Sequence, residues 1–328
     1  MAAGLTPMNG PIDVSVCIAN WNCRDMLRTC LESLQDRPQG VRLETIVVDN
    51  GSSDGAADMV AREFPEVVPI RNATNAGFAR ANNQAARVAR GRYLFFLNND
   101  TEVPAGSLKR LLDFADRHPE AGIIGPRLRD AQGDIQVSHR RRPTVAILVH
   151  RTTLLRWTGI FRSAHRCYRR GTVDDPSPRG VDILMGAAML LPRQVFFNVG
   201  GWDEDFVFGG EDMDLSVRVG ASHTLIYYPG VEILHHGRVS TRLHSRFSAA
   251  SIPCGFVRYL RKTDTSTPAI LLYKLALTLD APVQLLEKCL QSLWRLLRGR
   301  STDARRSWLV ARSLGQFMLY GLPAFWRA

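Results

Sequence analysis

Residues 93–100 read Tyr93-Leu94-Phe95-Phe96-Leu97-Asn98-Asn99-Asp100. The five-residue apolar run reads as a buried strand, and the strand ends on two amides and a carboxylate. Thr101-Glu102-Val103-Pro104 follows, so one reading of the triplet is a polar turn ahead of a helix that starts at Pro104. The other reading is chemical. Ligands bind at strand ends in open α/β sheets, and a hard divalent cation holding a diphosphate needs oxygen ligands of the Asp and Asn type.

Upstream, Ile46-Val47-Val48-Asp49-Asn50-Gly51-Ser52-Ser53-Asp54-Gly55 repeats the arrangement: a short apolar strand closes on an acid and then a turn of small polar residues. Asp49 is placed either to accept hydrogen bonds from a base edge or a ribose hydroxyl, or to cap its own turn. Strands are predicted near Val14–Ala19, Glu44–Asp49, Val67–Arg71, Tyr93–Leu97 and Gly122–Gly125, with helical stretches between. Alternation at this spacing predicts βαβ units and a mainly parallel sheet of the α/β class. The sheet pattern returns at Val181–Leu191, where Met185-Gly186-Ala187-Ala188-Met189 would let a sugar approach closely.

Downstream, Gly209-Gly210-Glu211-Asp212-Met213-Asp214-Leu215 sets an acidic cluster behind a glycine pair. Leu215, Val217 and Val219 continue as one helix to Gly220, which puts the acids in its first turn, where the macrodipole and unpaired N–H groups favour them. An acidic first turn is also ordinary helix chemistry. Two further elements, Asn98-Asn99-Asp100 and Asp49, make a catalytic role the stronger reading here.

With Val14-Ser15-Val16-Cys17-Ile18-Ala19-Asn20-Trp21-Asn22 before them and Asn75-Ala76-Gly77-Phe78-Ala79-Arg80-Ala81-Asn82 between, these elements resemble the family 2 inverting glycosyltransferases of GT-A fold. The likeness is to the rhamnosyltransferase-like branch and covers most of residues 12 to 245. It implies a Rossmann-like, mainly parallel central sheet. It also implies roles residue by residue. Asp49 contacts the nucleotide base, and Asp100 is the last acid of a DXD-type metal and diphosphate site. Asn20, Gly77, Asn82, Asn98 and Asn99 complete the nucleotide-sugar set. Asp212 matches the general base, while Glu211 and Asp214 orient it or the helix end, unless Asp214 is a plain solvent-facing acid. In Leu234-His235-His236-Gly237-Arg238-Val239-Ser240, His235 is the better candidate for a histidine ligand to Mg2+ or Mn2+. Neighbouring strand residues face opposite ways, so one of His235 and His236 should point at the site. Asn98 departs from the motif, where the family's first position is an acid, and a weakly held metal follows. On the acceptor side, Asp203 and Trp202 are candidates, Trp202 by stacking on a sugar or else as a core residue.

The resemblance implies transfer of one sugar, rhamnose from dTDP-rhamnose, to a hydroxyl of a lipid-linked or cell-envelope glycan, such as a polyprenyl-diphosphate-linked acceptor. A nucleotidyltransferase would want a glycine-rich phosphate loop with a basic residue near the first strand, which Asn20-Trp21-Asn22-Cys23 does not offer. A sugar-nucleotide-binding scaffold without catalysis is the other rival, kept open by the single acid of Asn98-Asn99-Asp100.

The chain has 328 residues, 45% of them hydrophobic, enough to bury a full core. No continuous run approaches a membrane span, and Met1-Ala2-Ala3-Gly4 opens no signal peptide, so a cytoplasmic protein is expected. Six cysteines without a C-x-x-C pair point to reduced thiols. The net charge of +11 is concentrated: residues 140–179 hold ten Arg against two Asp, and residues 256–328 hold twelve Lys and Arg against four acids. Nucleic acid is not the expected partner, because no recognised motif or aromatic interleaving accompanies the charge. Anionic phospholipid, or a diphosphate-linked lipid acceptor, suits it better.

Two regions are predicted, a GT-A catalytic domain over 1–250 and a basic amphipathic helical region over 251–328. Residues 138–180 read as a mobile basic loop or a short helical excursion. Ile270–Leu277 and Leu285–Arg298 are apolar on one side and basic on the other. They would lie peripherally on the inner face of the plasma membrane, or pack on the catalytic domain or a second subunit as a homodimer. Gln291-Ser292-Leu293-Trp294-Arg295 differs from the Q-x-x-R-W signature of processive synthases, since Trp precedes Arg, so non-processive transfer is expected.

Overall fold

The computed structural model describes residues 11–35, 40–169, 176–237 and 245–328, and these fall into two units. The first draws on residues 1–139, 174–204 and 215–239, the second on 140–173, 205–214 and 240–328. This division differs from a single boundary at 250, because the arginine-rich excursion groups with the C-terminal helices. Met1–Gly4, Arg238, Val239, Ser240 and the side chain of Cys167 lie outside the described residues.

In the first unit β1 (Val14–Asn20), α1 (Arg24–Ser33), β2 (Leu43–Asp49), α2 (Ala56–Glu63), β3 (Val68–Arg71), α3 (Phe78–Val88) and β4 (Tyr93–Leu97) alternate as the pattern predicts. After β5 (Thr101–Glu102), α4 spans Ser107–Arg117. It begins three residues later than Pro104, because Gly106 takes a left-handed φ of +73° and Ser107 N closes a turn onto Pro104 O at 3.0 Å. Then come β6 (Ala121–Arg129), β7 (Ile135–Gln136), β8 (His139–Arg140), β9 (Arg179–Gly180), β10 (Ile183–Leu184), β11 (Ala188–Pro192) and β12 (Thr224–His235). The strand expected over Val181–Leu191 is thus two strands, split at Met185-Gly186-Ala187.

The central sheet runs β3-β2-β1-β4-β11-β6-β12-β5, with β7 beside β6 and β9 beside β12. Pairs β1/β2, β1/β4, β2/β3 and β6/β12 are parallel, whereas β11 is antiparallel to both β4 and β6. Strand alternation divides the core between two faces. Val16, Ile18, Val47, Phe95 and Leu97 join one cluster with Leu27, Met59 and Leu111 of α1, α2 and α4. Cys17, Ile46, Val48, Leu94 and Phe96 join another with α3 and Trp202. Because both faces are covered by helices, the strands read as unbroken apolar runs.

The second unit is helical. The described part of residues 138–180 includes helices Val145–His150, Thr153–Thr158 and Arg162–Arg169, the helical alternative to a loop. Helices Ser245–Lys262, Thr267–Leu297, Ser301–Gln316 and Leu322–Arg327 follow. The two amphipathic segments of the tail are one continuous helix of 31 residues. Fully buried Asp280 accepts from Thr153 N at 2.9 Å and Leu154 N at 3.1 Å, which ties the arginine-rich segment to this helix. Among the described residues it is the one helix long and apolar enough to cross a bilayer, by length and composition only. A scan for an unbroken apolar run misses it, since Lys274, Asp280, Glu287 and Lys288 interrupt the sequence. Cys17, Cys23, Cys30, Cys254 and Cys289 are free thiols.

Candidate functional site

Three parallel strands deliver their polar ends to one place in the first unit. Asn20 ends β1 directly beside Asp49 at the end of β2, and Asn98-Asn99-Asp100 leaves β4. Asn99 Nδ2 donates to Asn20 Oδ1 at 2.7 Å, and Asn20 Nδ2 donates to Asp49 Oδ1 at 3.0 Å. Ser52 N donates to the second Asp49 oxygen at 3.0 Å. Asn20, Asp49 and Asn99 are all buried, so the chain of bonds fixes each side chain, as buried polar groups require.

The Gly77 turn joins this network from the next crossover. Asn50 Nδ2 donates to Gly77 O at 3.3 Å, and Gly77 N donates to Asn75 Oδ1 at 2.9 Å. Gly77 holds φ +87° ahead of α3, a conformation a Cβ would strain. Asn82 lies inside α3, where its Nδ2 donates to Phe78 O at 3.1 Å. Its buried Oδ1 has no hydrogen-bond partner among the described residues.

Asp100 and His235 meet across β5. His235 Nε2 is 3.4 Å from Asp100 Oδ1 and 3.4 Å from Asn98 Nδ2, while His236 turns away to Glu102 Oε1 at 2.7 Å. Strand alternation thus gives each histidine its own carboxylate. Gln136, which sequence reading passes over, decides the imidazole's state. Its Nε2 donates to His235 O at 2.6 Å, which leaves Oε1 to accept from His235 Nδ1–H at 2.8 Å. With Nδ1 held as a donor, Nε2 is the ring nitrogen turned to Asp100 and Asn98, and it is the one a ligating histidine would offer. No local sequence signal marks Gln136, which sits on a two-residue strand beside β6.

Two amides, one carboxylate and one imidazole do not make a metal cage. Among the described residues no group of three or more His, Cys, Asp or Glu side chains is placed to hold an ion. Asp100 and His235 fit a cation that takes its remaining ligands from substrate phosphates and water, as Mg2+ commonly does. Cys30 Sγ sits 3.7 Å from both Asn98 O and Thr101 Oγ1. Burial pushes its thiol up to about 12, so it is no nucleophile.

Trp202 corrects the acceptor-side reading. It is 1% exposed and packs edge-on against Phe78 and Phe96 at centroid distances of 5.5 and 5.1 Å, so neither face is open to a sugar. Its backbone is clamped by Asn83, which donates to Trp202 O at 2.8 Å and accepts from Trp202 N at 3.0 Å. Asp203 beside it is half-buried.

The acidic turn belongs to the second unit. Gly209 and Gly210 hold φ of +87° and +103°, where other residues are strained, and helix Glu211–Val219 starts directly after them. Glu211 is buried with Oε2 unpartnered among the described residues. Burial, then the neighbouring Asp212 charge, pushes its carboxyl up to about 8, so it is largely protonated at neutral pH. Asp212 is half-buried, with Oδ1 accepting from Met213 N at 2.9 Å. Asp214 is not the solvent-facing acid: it is buried, and its carboxylate lies 2.6 Å from Lys262 Nζ.

Arg140 completes this cluster and was not singled out by sequence. Burial pulls its guanidinium down, but the Asp212 charge and Tyr168 outweigh burial and hold it above its ordinary value. Its Nη1 donates to Tyr168 OH at 3.2 Å, and its interior Nε has no hydrogen-bond partner among the described residues. The arrangement sets a largely neutral Glu211 next to Asp212, whose charge acts on the Arg140 guanidinium.

The glycosyl transferase family 2 model matches residues 15–178. An N-acetylglucosaminyl-diphospho-decaprenol L-rhamnosyltransferase of Mycobacterium tuberculosis is 32% identical over 224 residues, covering 63% of this chain and 69% of that protein. The O-antigen biosynthesis protein RfbC of Myxococcus xanthus is 28% identical over 247 residues, covering 72% of this chain but 18% of its own length. Among solved structures, the mannosyltransferase PcManGT from Pyrobaculum calidifontis in complex with GDP-Man and Mn2+ aligns at a TM-score of 0.52 and 17% identity, over 95% of this chain and 89% of that one. GalNAc-T7 with UDP, GalNAc and Mn2+ aligns at 0.55 and 15% identity, over 77% and 48%. At these identities the structures establish the GT-A fold.

Proposed function

The chain belongs to glycosyl transferase family 2, and from that premise we propose that it transfers a single rhamnose, with inversion, from dTDP-rhamnose to a lipid-linked envelope glycan on the cytoplasmic side of the membrane. The observation that carries this reading is the Asn99–Asn20–Asp49 network. It holds a carboxylate at the end of a parallel strand, where a nucleotide in such sheets binds. Similarity to the mycobacterial rhamnosyltransferase supports the sugar and the polyprenyl-diphosphate acceptor class.

Asp212 accepts the proton of the acceptor hydroxyl as that oxygen bonds to the anomeric carbon and the bond to the nucleoside diphosphate breaks. Base assistance of this kind is worth roughly 10²–10⁴-fold. Neutral Glu211 adds no second negative charge beside the base, and the Arg140 guanidinium interacts with Asp212 through charge. Asp49 and Asn20 bind the nucleoside. Asp100 and His235 are the residues that would hold a divalent cation. When bound, such an ion neutralises charge on the departing diphosphate.

The test is turnover. The chain is incubated with dTDP-rhamnose and a synthetic polyprenyl-diphosphate N-acetylglucosamine, with and without Mn2+, and the product's anomeric configuration is read by NMR. Inverted rhamnoside supports the reading. Donor binding without product over a panel of nucleoside diphosphate sugars would favour a binding scaffold instead.

A further inference from the structure

Helix Thr267–Leu297 carries its polarity the wrong way round for a helix facing water. Every exposed position along it is uncharged: Thr267, two prolines, nine leucines and Trp294. Its charges face inward and are partnered there. Lys274 Nζ donates to Trp326 O at 3.0 Å, Asp280 accepts from Thr153 and Leu154, and Arg295 Nη1 donates to Ser307 Oγ at 2.7 Å.

Leu272, Leu279, Leu286 and Leu293 recur every seven residues, with Leu275 and Leu290 between them and Leu297 one turn beyond. At 100° per residue these seven fall within a sector of about 60°, and at 1.5 Å per residue the stripe is about 38 Å long. An apolar surface of that extent marks an interaction site.

The surroundings choose the occupant. A paired coiled coil needs charged flanks beside its seam to set partner and register, but here exposed Leu271, Trp294 and Leu296 widen the face with apolar groups. Four of the six tryptophans, Trp157, Trp294, Trp308 and Trp326, are exposed, and all four belong to this unit. Such rings concentrate where a hydrocarbon layer meets water. Exposed Arg298, Arg300, Arg305, Arg306, Arg312 and Arg327 supply charge that complements anionic headgroups. Passing the helix through a bilayer would strip Lys274 and Asp280 of the groups they bind, at the cost of unpaired charge in hydrocarbon.

We propose that the leucine face of helix 267–297 lies in the plane of an anionic phospholipid bilayer, with the leucines at the acyl boundary and the tryptophans and arginines among the headgroups. This places the chain at the surface where a lipid-linked acceptor resides, and to that extent it rests on the acceptor reading above. The surface itself can be tested without donor or acceptor.

The experiment is flotation of the full chain with phosphatidylcholine vesicles, with and without phosphatidylglycerol. Binding is expected to the anionic vesicles, weaker at high salt, with tryptophan emission shifting to the blue. A Leu279→Glu/Leu286→Glu double variant alters two exposed positions and leaves the inward contacts alone. It should bind at least roughly tenfold more weakly with an unchanged melting temperature. Full-length protein that ignores anionic vesicles at low salt overturns the proposal. So does a dimer in light scattering that the double variant dissociates without loss of vesicle binding, since the face would then cover a second copy. Persistence in membranes through an alkaline carbonate wash would make the helix a span. A chain that floats but transfers no sugar leaves the surface standing and counts against the transfer reaction alone.

Discussion

His235 directs Nε2 at the Asp100 carboxylate from 3.4 Å, and it does so because Gln136 occupies both its Nδ1 and its backbone carbonyl. The ring is therefore held in one orientation. Replacing Gln136 with Leu frees the ring to rotate while leaving both candidate ligands in place. Mn2+-dependent donor binding, measured by calorimetry, should weaken roughly 10–100-fold, the usual effect of losing such a support. Asp100→Ala should weaken it at least as much. Donor binding that is indifferent to chelator and to both substitutions would remove the metal from the account.

Asp212→Asn keeps the side chain's shape and removes its basicity. Transfer should fall by at least about a hundredfold with donor affinity unchanged. Because Arg140 and Asp212 interact through charge, Arg140→Gln should also lower transfer with donor affinity unchanged, and Arg140→Lys should restore part of it, a rescue that loss of packing alone would not produce. Near-normal turnover of Asp212→Asn would move the base to another residue, with Asp203 first to be tried.

Glu211 makes a prediction about stability. Its carboxyl is raised to about 8 in the folded chain from an ordinary 4.5, so between those values the folded state holds a proton that the unfolded state has lost. Its contribution to stability is therefore greatest at low pH and declines as pH rises from about 4.5 through 8. Glu211→Gln removes the dependence. The variant should melt higher than the parent at pH 8 and about equally at pH 5, by differential scanning fluorimetry. An equal shift at both values would mean that the carboxyl is not held neutral.

How much of this was legible in the chain depended on what kind of signal each residue carried. Ile46–Asp49 and Tyr93–Leu97 announce their strands because burial on both faces leaves no polar interruption. His235 could be preferred to His236 only as one of an alternating pair. Gln136 is an isolated polar residue and Arg140 the first of three consecutive arginines, each on a two-residue strand, and nothing in local composition sets either apart. Their roles come from contacts 99 and 28 residues away. Trp202 reads equally as a sugar platform or a core residue, and the ring fills the core against Phe96. The long helix was obscured by Lys274 and Asp280, whose partners are supplied by distant segments.

Asp280 caps a helix that sequence could not assign to it. Its carboxylate accepts from the backbone N–H groups of Thr153 and Leu154, donors that a helix start leaves without internal partners. Asp280→Ala should cost about 1–2 kcal/mol and make helix Thr153–Thr158 exchange its amide hydrogens faster. Unchanged exchange there would show that the cap is dispensable.

Gly255 controls the turn that carries Glu211. It lies inside helix Ser245–Lys262, and a Cβ built on it would overlap the Gly209 carbonyl oxygen, with the carbonyl carbon at 2.8 Å. Both partners are backbone, so neither can rotate away, and the obstacle falls two residues before Glu211. Gly255→Ala should therefore destabilise by about 1–3 kcal/mol, the scale of overpacking, and lower turnover more than the melting shift alone explains, since the turn must move. Gly315→Ala is the matched control. It sits in helix Ser301–Gln316 with no atom within 4 Å of the added methyl, and it should stabilise by about 0.5–1 kcal/mol through helix propensity. If Gly255→Ala behaves like Gly315→Ala, the close approach to Gly209 does not set the geometry of the acidic turn.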